Sequence, residues 1–372
     1  MTWSWIGVDE AGYGARMGPL VVSASWWQID SAEWTPAALS DPDFLQQIDP
    51  WPWRAQFAAE SDGRAKLLPP HLVADSKKIY QAGQGLDKLQ RIVTSLLDAI
   101  EAIRNTLTPP IQTNDRDRSE SVDDANSGSS SDMPDVHATW SAARERYIHH
   151  ARRVQPKPSS SLPYWLTESR GEVLSPTAGE GRSHLTGLAN TWASTTVRPS
   201  GLFSALVSEY EFNQGLIQHG NKAHLLSATS MWLANHVLQQ CPAGQTVVID
   251  FDRHGGRKRY LPLIVEHFEA DWPQVLGETE LESSYLWEAD GRRVYFRFTV
   301  DGERRYPVAA ASLASKYARE LGMHCVNTYW QRLVPELKAS AGYPVDAARM
   351  LAELQAAIQP SPVPIAELWR NA

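Results

Sequence analysis

The sequence predicts an α/β domain with a mixed central sheet and helices on both faces. Two apolar runs near the start, 3–8 and 19–24, are joined by a glycine-containing turn, which predicts an antiparallel pair of strands. Apolar residues then recur at helical spacing from Leu89 to Ile103. Later in the chain, helical and extended patterns alternate, which is typical of helices packed on a sheet.

The individual elements follow from periodicity and from helix-breaking residues. The first helix is predicted over about 86–107, because Pro109-Pro110 stops it. A strand is predicted at 245–250, directly after a helix at about 222–240. The remaining predicted elements are a helix near 138–153, extended pieces at 292–300 and 306–308, and helices near 309–325, 346–358 and 364–371.

At 372 residues the chain is longer than a usual single domain. We expect a catalytic domain built from 1–107 and 201–340, interrupted by an insertion at 108–200 and followed by a helical extension at 341–372 that packs on it. Residues 114–136 contain seven acids, two arginines and few apolar side chains. The stretch of about 112–136 is therefore predicted to be disordered. The insertion's tryptophans, Trp140, Trp165 and Trp192, predict that part of it packs on the main domain.

Composition excludes several classes of protein. The sequence has two cysteines and no Cys-x-x-Cys motif, so neither a disulfide framework nor a zinc site is expected. We expect the protein to lie in the reducing cytoplasm. No signal peptide and no membrane-spanning run are recognised, so no membrane partner is expected. The net charge of −8 is unusual for a nucleic-acid binder, but much of it comes from 114–136. We expect a cytoplasmic monomer.

Two adjacent acids, Asp9 and Glu10, end the first apolar run. Neighbouring carboxylates repel one another unless a cation lies between them. The pair therefore indicates a metal-dependent enzyme, although an acidic pair can also simply end a strand in solvent. A second buried strand, Val247-Val248-Ile249, ends in Asp250, and Asp252 would lie on the same side of it.

Several segments, taken in order, resemble ribonuclease HII and its relative ribonuclease HIII. The resemblance covers roughly 3–105 and 203–355. Its segments are Gly7-Val8-Asp9-Glu10-Ala11-Gly12-Tyr13-Gly14 with Gly18-Pro19-Leu20-Val21-Val22, Asp75-Ser76-Lys77-Lys78, Val247-Val248-Ile249-Asp250, the helix Ala309-Ala310-Ala311-Ser312-Leu313-Ala314-Ser315-Lys316-Tyr317-Ala318-Arg319-Glu320 and, more weakly, Gly342-Tyr343-Pro344.

The resemblance implies a ribonuclease H-like fold and phosphodiester hydrolysis assisted by two divalent ions, Mg²⁺ or Mn²⁺. Carried over, it makes Asp9, Glu10, Asp250 and Glu320 the catalytic, metal-binding acids. The implied substrate is the RNA strand of an RNA–DNA hybrid, or a ribonucleotide embedded in duplex DNA. The implied products carry 3′-hydroxyl and 5′-phosphate ends.

The resemblance also implies substrate-binding residues, namely Gly12, Tyr13, Gly14, Ser76, Lys77 and Lys316. Tyr13 departs from the Arg or Lys that the family has between these glycines, which removes a positive charge. These residues could instead have structural roles. Ser76 and Lys77 could form the capped start of a helix, and Lys316 could form a surface ion pair with Glu320. The basic cluster 253–259 is either a solvated turn or a phosphate contact.

Asp252 competes with Asp250 for the third metal-binding position, and Asp250 is preferred because it directly ends the apolar run. Two other functions remain open. One is a divergent nuclease of the same fold with another nucleic-acid substrate, and the other is a non-catalytic module that binds hybrids.

Overall fold

The computed structural model describes residues 2–30, 163–167, 197–289, 291–358 and 360–371, together with helical residues 89, 90, 92–94, 96, 97 and 100. The strands are β1 (Thr2–Ala11), β2 (Leu20–Asp30), β3 (Val197–Val207), β4 (Thr246–Asp252), β5 (Gln274–Glu278), β6 (Glu282–Ala289) and β7 (Arg292–Thr299). The helices are α1 (Tyr164–Thr167), α2 (Glu209–His219), α3 (Lys222–Leu238), α4 (Leu261–Phe268), α5 (Tyr306–Leu333), α6 (Pro344–Ala357) and α7 (Ile365–Leu368), and a 3₁₀ turn spans Gly302–Arg304.

All seven strands form one sheet in the order β3-β2-β1-β4-β7-β6-β5. Strands β1, β4 and β7 run parallel to one another, whereas β2 is antiparallel to both β1 and β3. Strand β6 is antiparallel to β5 and β7. The predicted α/β fold with a mixed sheet is confirmed, and this arrangement agrees with the ribonuclease H-like fold expected from the resemblance.

Helices cover both faces of the sheet, as predicted. Because side chains alternate along a strand, Trp3 and Trp5 of β1 face α5 and the helical residues between 89 and 100. Ile6 and Val8 lie in the core on the opposite face, beneath α2, α3 and α4. A third cluster joins Trp165 of α1, the second half of α5, α6 and α7. Helices α6 and α7 therefore pack on α5 through apolar side chains.

Some predicted elements are confirmed and others need correction. The β1–β2 hairpin, α3, β4 and β7 lie where the sequence predicts them. Residues 306–308 are not extended but form the first turn of α5, because Pro307 lies in that turn, where a backbone N–H has no intrahelical partner. Strands β3, β5 and β6 and helices α2 and α4 were not predicted. The stretch 112–136 and the helix predicted near 138–153 lie outside the described residues.

Within the part of the chain that the structure describes, no helix has both the length and the apolar character needed to cross a membrane.

Close contact between β1 and α5 depends on Gly7. A Cβ atom added to Gly7 would lie 2.1 Å from the carbonyl carbon of Pro307 and 2.2 Å from the amide nitrogen of Val308. Both atoms belong to the backbone and cannot move aside as a side-chain end can. The neighbouring Ser25 hydroxyl donates a 2.6 Å hydrogen bond to the Pro307 carbonyl. The start of α5 is therefore fixed directly on the middle of the sheet.

We predict that Gly7→Ala lowers the free energy of unfolding by about 1–3 kcal/mol or more, since overpacking forces backbone shifts. The measurement is thermal unfolding, with a loss of roughly 2–4 °C per kcal/mol for a domain of 150–250 residues. Gly256→Ala is the matched control, because nothing lies within 4 Å of the position its Cβ would take. Equal melting temperatures for the two variants would contradict the tight contact.

Candidate active site

The acids of β1 and β4 meet where these parallel strands end. The register pairs Gly7 with Asp250 and Val8 with Phe251. One position further along each strand, Asp9 is therefore level with Asp252. Asp250 lies about 6.6 Å further back along its strand, since each residue advances a strand by about 3.3 Å. The register thus groups Asp9 with Asp252.

Asp9 is held by α5. Its carbonyl accepts a 2.9 Å hydrogen bond from the Ser315 hydroxyl, and its carboxylate is hydrogen-bonded by Ser312. The carboxylate also accepts the Glu10 backbone N–H at 2.8 Å. Burial, followed by the charges of Glu10, Asp252 and Glu303, raises the pKa of Asp9 well above its usual value. A buried carboxyl with three acidic neighbours holds its proton tightly.

Glu10 belongs to the same electrostatic cluster. Burial is the main cause that raises its pKa from 4.5 to about 7, and the charge of Asp252 comes next, with Glu303 adding a smaller effect. Asp252 accepts the Gly302 N–H at 2.8 Å, which ties the end of β4 to the 3₁₀ turn that carries Glu303. Four acids from three elements therefore interact at one edge of the sheet.

Asp250, the predicted third metal ligand, has surroundings that differ from those of Asp9 and Glu10. Its carboxylate is fully buried and forms a two-pronged ion pair with Arg297 of β7, with both hydrogen bonds at 2.7 Å. The Trp5 indole donates a further 2.6 Å hydrogen bond, and Arg305 lies 3.7 Å away. Burial would raise the pKa of Asp250, but the two arginines outweigh it and hold the pKa below its usual value. Burial lowers the pKa of Arg297 as well, yet a guanidinium stays charged.

The other predicted residues are less closely grouped. Glu320 and Lys316 are half-buried on α5, and Glu320 lies about 12 Å beyond Ser312 along the helix axis. Glu320 is not among the strongest influences on the pKa of Asp9 or Glu10. Ser76 and Lys77 lie outside the described residues. Sequence reasoning missed Glu303, whose only signal is an acid in the turn that leads into the alanine-rich helix.

Carboxylate oxygens are the ligands that Mg²⁺ and Mn²⁺ prefer, so the donor set fits the implied metals chemically. As the side chains are placed, no three acids, histidines or cysteines among the described residues stand close enough together to hold an ion. Four mutually interacting carboxylates nevertheless create a site whose charge a cation would balance. Binding an ion there requires side-chain rotations.

The glycine turn lies next to these acids. Gly12 has a φ of 86°, and a Cβ there would lie 2.7 Å from a guanidinium nitrogen of Arg319, so only glycine fits. Gly14 is exposed, with nothing within 4 Å of the position its Cβ would take. Tyr13 is half-buried, and burial raises the pKa of its hydroxyl. The backbone at Gly14 is therefore open to a ligand.

Two buried arginines hold the turn by its carbonyl groups. Arg370, near the C-terminus, donates to the Gly12 carbonyl at 2.7 Å and to the Gly18 carbonyl. Arg319 of α5 donates to the Pro19 carbonyl at 2.7 Å and to the Ala341 carbonyl at 3.0 Å. Burial, with the charge of Arg319, lowers the pKa of Arg370 to about 9.

Glu209 supplies the negative charge of this cluster. Its carboxylate is fully buried and accepts the Gly18 N–H at 2.7 Å and the Trp165 indole N–H at 3.2 Å. The Gly342 carbonyl accepts the backbone N–H groups of Arg16 and Met17 at 2.8 and 3.1 Å. The segment Gly342-Tyr343-Pro344, singled out by the resemblance, therefore contacts the glycine turn.

No family profile and no curated protein matches this sequence. In structure, the chain is similar to ribonuclease HII of Archaeoglobus fulgidus, solved in complex with PCNA, with a TM-score of 0.38, 12% identity, and coverage of 99% of this chain and 95% of that chain. It is also similar to ribonuclease H2 of Pyrococcus horikoshii OT3, with a TM-score of 0.39, 12% identity, and coverage of 98% of this chain and 92% of that chain. A third similar structure is Bst ribonuclease HIII in complex with Mn²⁺, with a TM-score of 0.36, 14% identity, and coverage of 99% of this chain and 66% of that chain. At these scores and identities the similarity assigns no activity to this chain.

The pKa of Glu10 predicts a pH-dependent stability in the presence of a chelator. The folded-state pKa of about 7 exceeds the usual 4.5, so folding favours the protonated form. The resulting stabilisation is fully present below about pH 4.5 and is lost as the pH rises through 7, at up to about 1.4 kcal/mol per pH unit. Urea unfolding between pH 4.5 and 8 measures this. Glu10→Gln should flatten the decline, and an unchanged slope would show that Glu10 is ionised at ordinary pH.

A further prediction concerns Arg370. Replacing it with alanine leaves two buried carbonyls unpaired and Glu209 without its nearby cation, so the free energy of unfolding should fall by roughly 3–5 kcal/mol. Urea unfolding at pH 7 measures the loss. The control is Arg293→Ala, because Arg293 is exposed and pairs only with exposed Glu288. That change should cost less than about 1 kcal/mol, and a similar loss in both variants would contradict the bracing role.

Proposed function

We propose that this protein is a metal-dependent endonuclease. It hydrolyses the RNA strand of RNA–DNA hybrids, or ribonucleotides embedded in duplex DNA, and leaves 3′-hydroxyl and 5′-phosphate ends. It acts as a monomer and as a divergent relative of ribonucleases HII and HIII. We place it in the cytoplasm, where its two cysteines, Cys241 and Cys325, would remain reduced.

One observation carries the proposal. The charges of Asp252 and Glu303 each act on Asp9 and Glu10 at the end of two parallel strands, beside a turn whose backbone is exposed at Gly14. Burying mutually repelling carboxylates is unfavourable, and Asp250 in the same sheet has two arginines to balance it. Burial, together with acidic neighbours, raises the pKa of both Asp9 and Glu10, so a positive charge beside them would be favourable. A bound divalent cation would supply the missing positive charge.

We assign the metal-binding roles to Asp9, Glu10 and Asp252, with Glu303 or Glu320 completing the set. Asp252 replaces Asp250 because it is level with Asp9. Two divalent ions would supply an activated water and charge stabilisation at the scissile phosphate. Ser312 and Ser315 orient Asp9 from α5, and the Gly302 N–H orients Asp252.

The glycine turn would select the sugar. In ribonucleases HII and HIII, the backbone of the equivalent turn recognises the ribose 2′-hydroxyl. Gly14 leaves room for the same approach of main chain to sugar. Ser76, Lys77 and Lys316 remain proposed contacts to the substrate.

A second candidate is a nuclease of the same fold that cuts another nucleic-acid substrate. It is favoured by Tyr13, which replaces the positively charged residue of the family. An aromatic ring can stack on any base, so Tyr13 broadens the choice of substrate. A non-catalytic hybrid-binding module is disfavoured, because clustered carboxylates repel phosphates when no metal is bound.

The decisive test compares Asp252→Asn with Asp250→Asn. Asp252→Asn should reduce cleavage of RNA–DNA hybrid roughly a thousandfold or more, because losing a metal ligand removes several kcal/mol of transition-state stabilisation. Its melting temperature should not fall. Asp250→Asn should instead destabilise the protein by about 3–5 kcal/mol, because Arg297 is left as an unbalanced buried charge.

The assay uses RNA–DNA hybrid, a duplex with one embedded ribonucleotide, and plain DNA, each with Mg²⁺, Mn²⁺ or a chelator. Because Asp250→Asn alone can unfold the chain, the double variant Asp250→Asn/Arg297→Gln removes both charges and should retain cleavage. Full activity in a chelator would overturn the metal assignment. An active Asp252→Asn beside an inactive, folded double variant would restore Asp250 as the ligand. Binding of hybrid with no cleavage in either Mg²⁺ or Mn²⁺ would identify a binding module.

A further inference from the structure

Tyr13 has two positively charged neighbours that sequence reasoning did not connect with it. The Lys222 ammonium, at the start of α3, lies 5.1 Å from the centroid of the Tyr13 ring. Arg257, in the loop after β4, is close enough for its charge to lower the pKa of the Tyr13 hydroxyl, against the larger raising effects of burial and of Glu10. The charge missing at position 13 is therefore present beside it.

The structure separates the roles within the basic cluster 253–259. Arg253 is buried and donates to the carbonyls of Thr279 and Glu280. His254 is buried against the Ser227 hydroxyl, and burial, with the charge of Arg257, lowers its pKa to about 3, so it is neutral. These two residues anchor the loop and are not available to a ligand.

The next cations of the cluster differ in their partners. Lys258 pairs with Glu280, and Arg259 lies 3.7 Å from Glu278. Arg257 forms no ion pair with any residue that the structure describes, and within the same ranges Lys222 has none either. Both are half-buried. Two cations without anionic partners beside one aromatic ring form a site that favours an anion.

We propose that Lys222, over the Tyr13 ring, and Arg257, near the Tyr13 hydroxyl, bind the phosphodiester backbone of the nucleic acid beside the acidic site. This inference rests on the proposed function and assigns the backbone contact that an Arg or Lys in the glycine turn would otherwise make. The Tyr13 ring orders the Lys222 ammonium through a cation–π contact. That contact lowers the entropy lost when a phosphate binds.

The site also explains how a protein with a net charge of −8 could bind a polyanion. A strongly acidic protein repels a polyanion at long range, and acids at the reaction centre add to the repulsion. Paired cations at the edge of that centre give the substrate a local attraction within one Debye length, about 10 Å at 0.1 M salt. They place neighbouring phosphates at fixed positions relative to Asp9 and Glu10.

The test is the salt dependence of binding, measured by fluorescence anisotropy in a chelator so that no cleavage occurs. The probes are a labelled RNA–DNA hybrid and a DNA duplex of the same sequence. Each phosphate contact contributes about 0.9 to the slope of log K against log salt concentration on duplex DNA. Lys222→Ala and Arg257→Ala should each lower the slope by about that amount and weaken binding about five- to tenfold near 0.1 M salt. The double variant should lower the slope by about 1.8.

Arg293→Ala is the matched control. It also removes one positive charge, but Arg293 lies at the start of β7, away from the strand ends that carry the acids, so the slope should not change. Lys222→Arg keeps the charge and should restore the slope. A double variant with the slope of the wild type overturns the site, as does wild-type protein that shows no salt-dependent binding. Cleavage assayed separately distinguishes the two proposals: a lowered slope without cleavage by the wild type removes the nuclease assignment alone, and cleavage with an unchanged slope removes the phosphate site alone.

Discussion

The close packing of β1 on the first turn of α5 is the constraint on which the site depends. Because Gly7 has no side chain, the backbone of Pro307 and Val308 lies directly against the middle of the sheet. The helix then passes over the end of β1, where Ser312 and Ser315 reach Asp9. The buried alanines Ala309, Ala310, Ala311 and Ala314 keep the helix close to the strand. Small residues at one contact thus determine where a buried carboxylate lies and what hydrogen-bonds to it.

The two acids of β4 show how far the sequence predicts the site. Their strand and the side on which both carboxylates lie follow from the pattern of apolar residues, whereas the position of the strand beside β1 is seen only in the structure. The choice between Asp250 and Asp252 does not follow from that pattern, because it depends on Arg297 of a different strand and on the register with β1. The apolar run ends at Asp250 whichever of the two acids binds the metal. The residues next to Asp250 therefore do not show whether its carboxylate is neutralised in the core or exposed at the end of the strand.

The same distinction applies to the fold. The hairpin, α3 and α5 have strong periodicity and are predicted, whereas β5 has mostly exposed side chains and no alternating pattern to reveal it. The local sequence of 306–308 predicts an extended segment, yet these residues form the first turn of α5, which contains Pro307. The role of Glu303 depends on the Asp252 carboxylate accepting the Gly302 N–H. Features set by one element's own residues are predictable, and features set by contact between distant elements are not.

Charges around the glycine turn are divided by function. Arg319 and Arg370 are buried and point at main-chain carbonyls, so their positive ends are used in fixing the backbone. Glu209 balances them, and its own N–H partner at Gly18 closes the turn from the other side. A turn braced from within in this way does not need its outer residues for stability. Tyr13 and Gly14 are therefore not needed to hold the turn, and a substitution at position 13 should leave the path of the backbone unchanged.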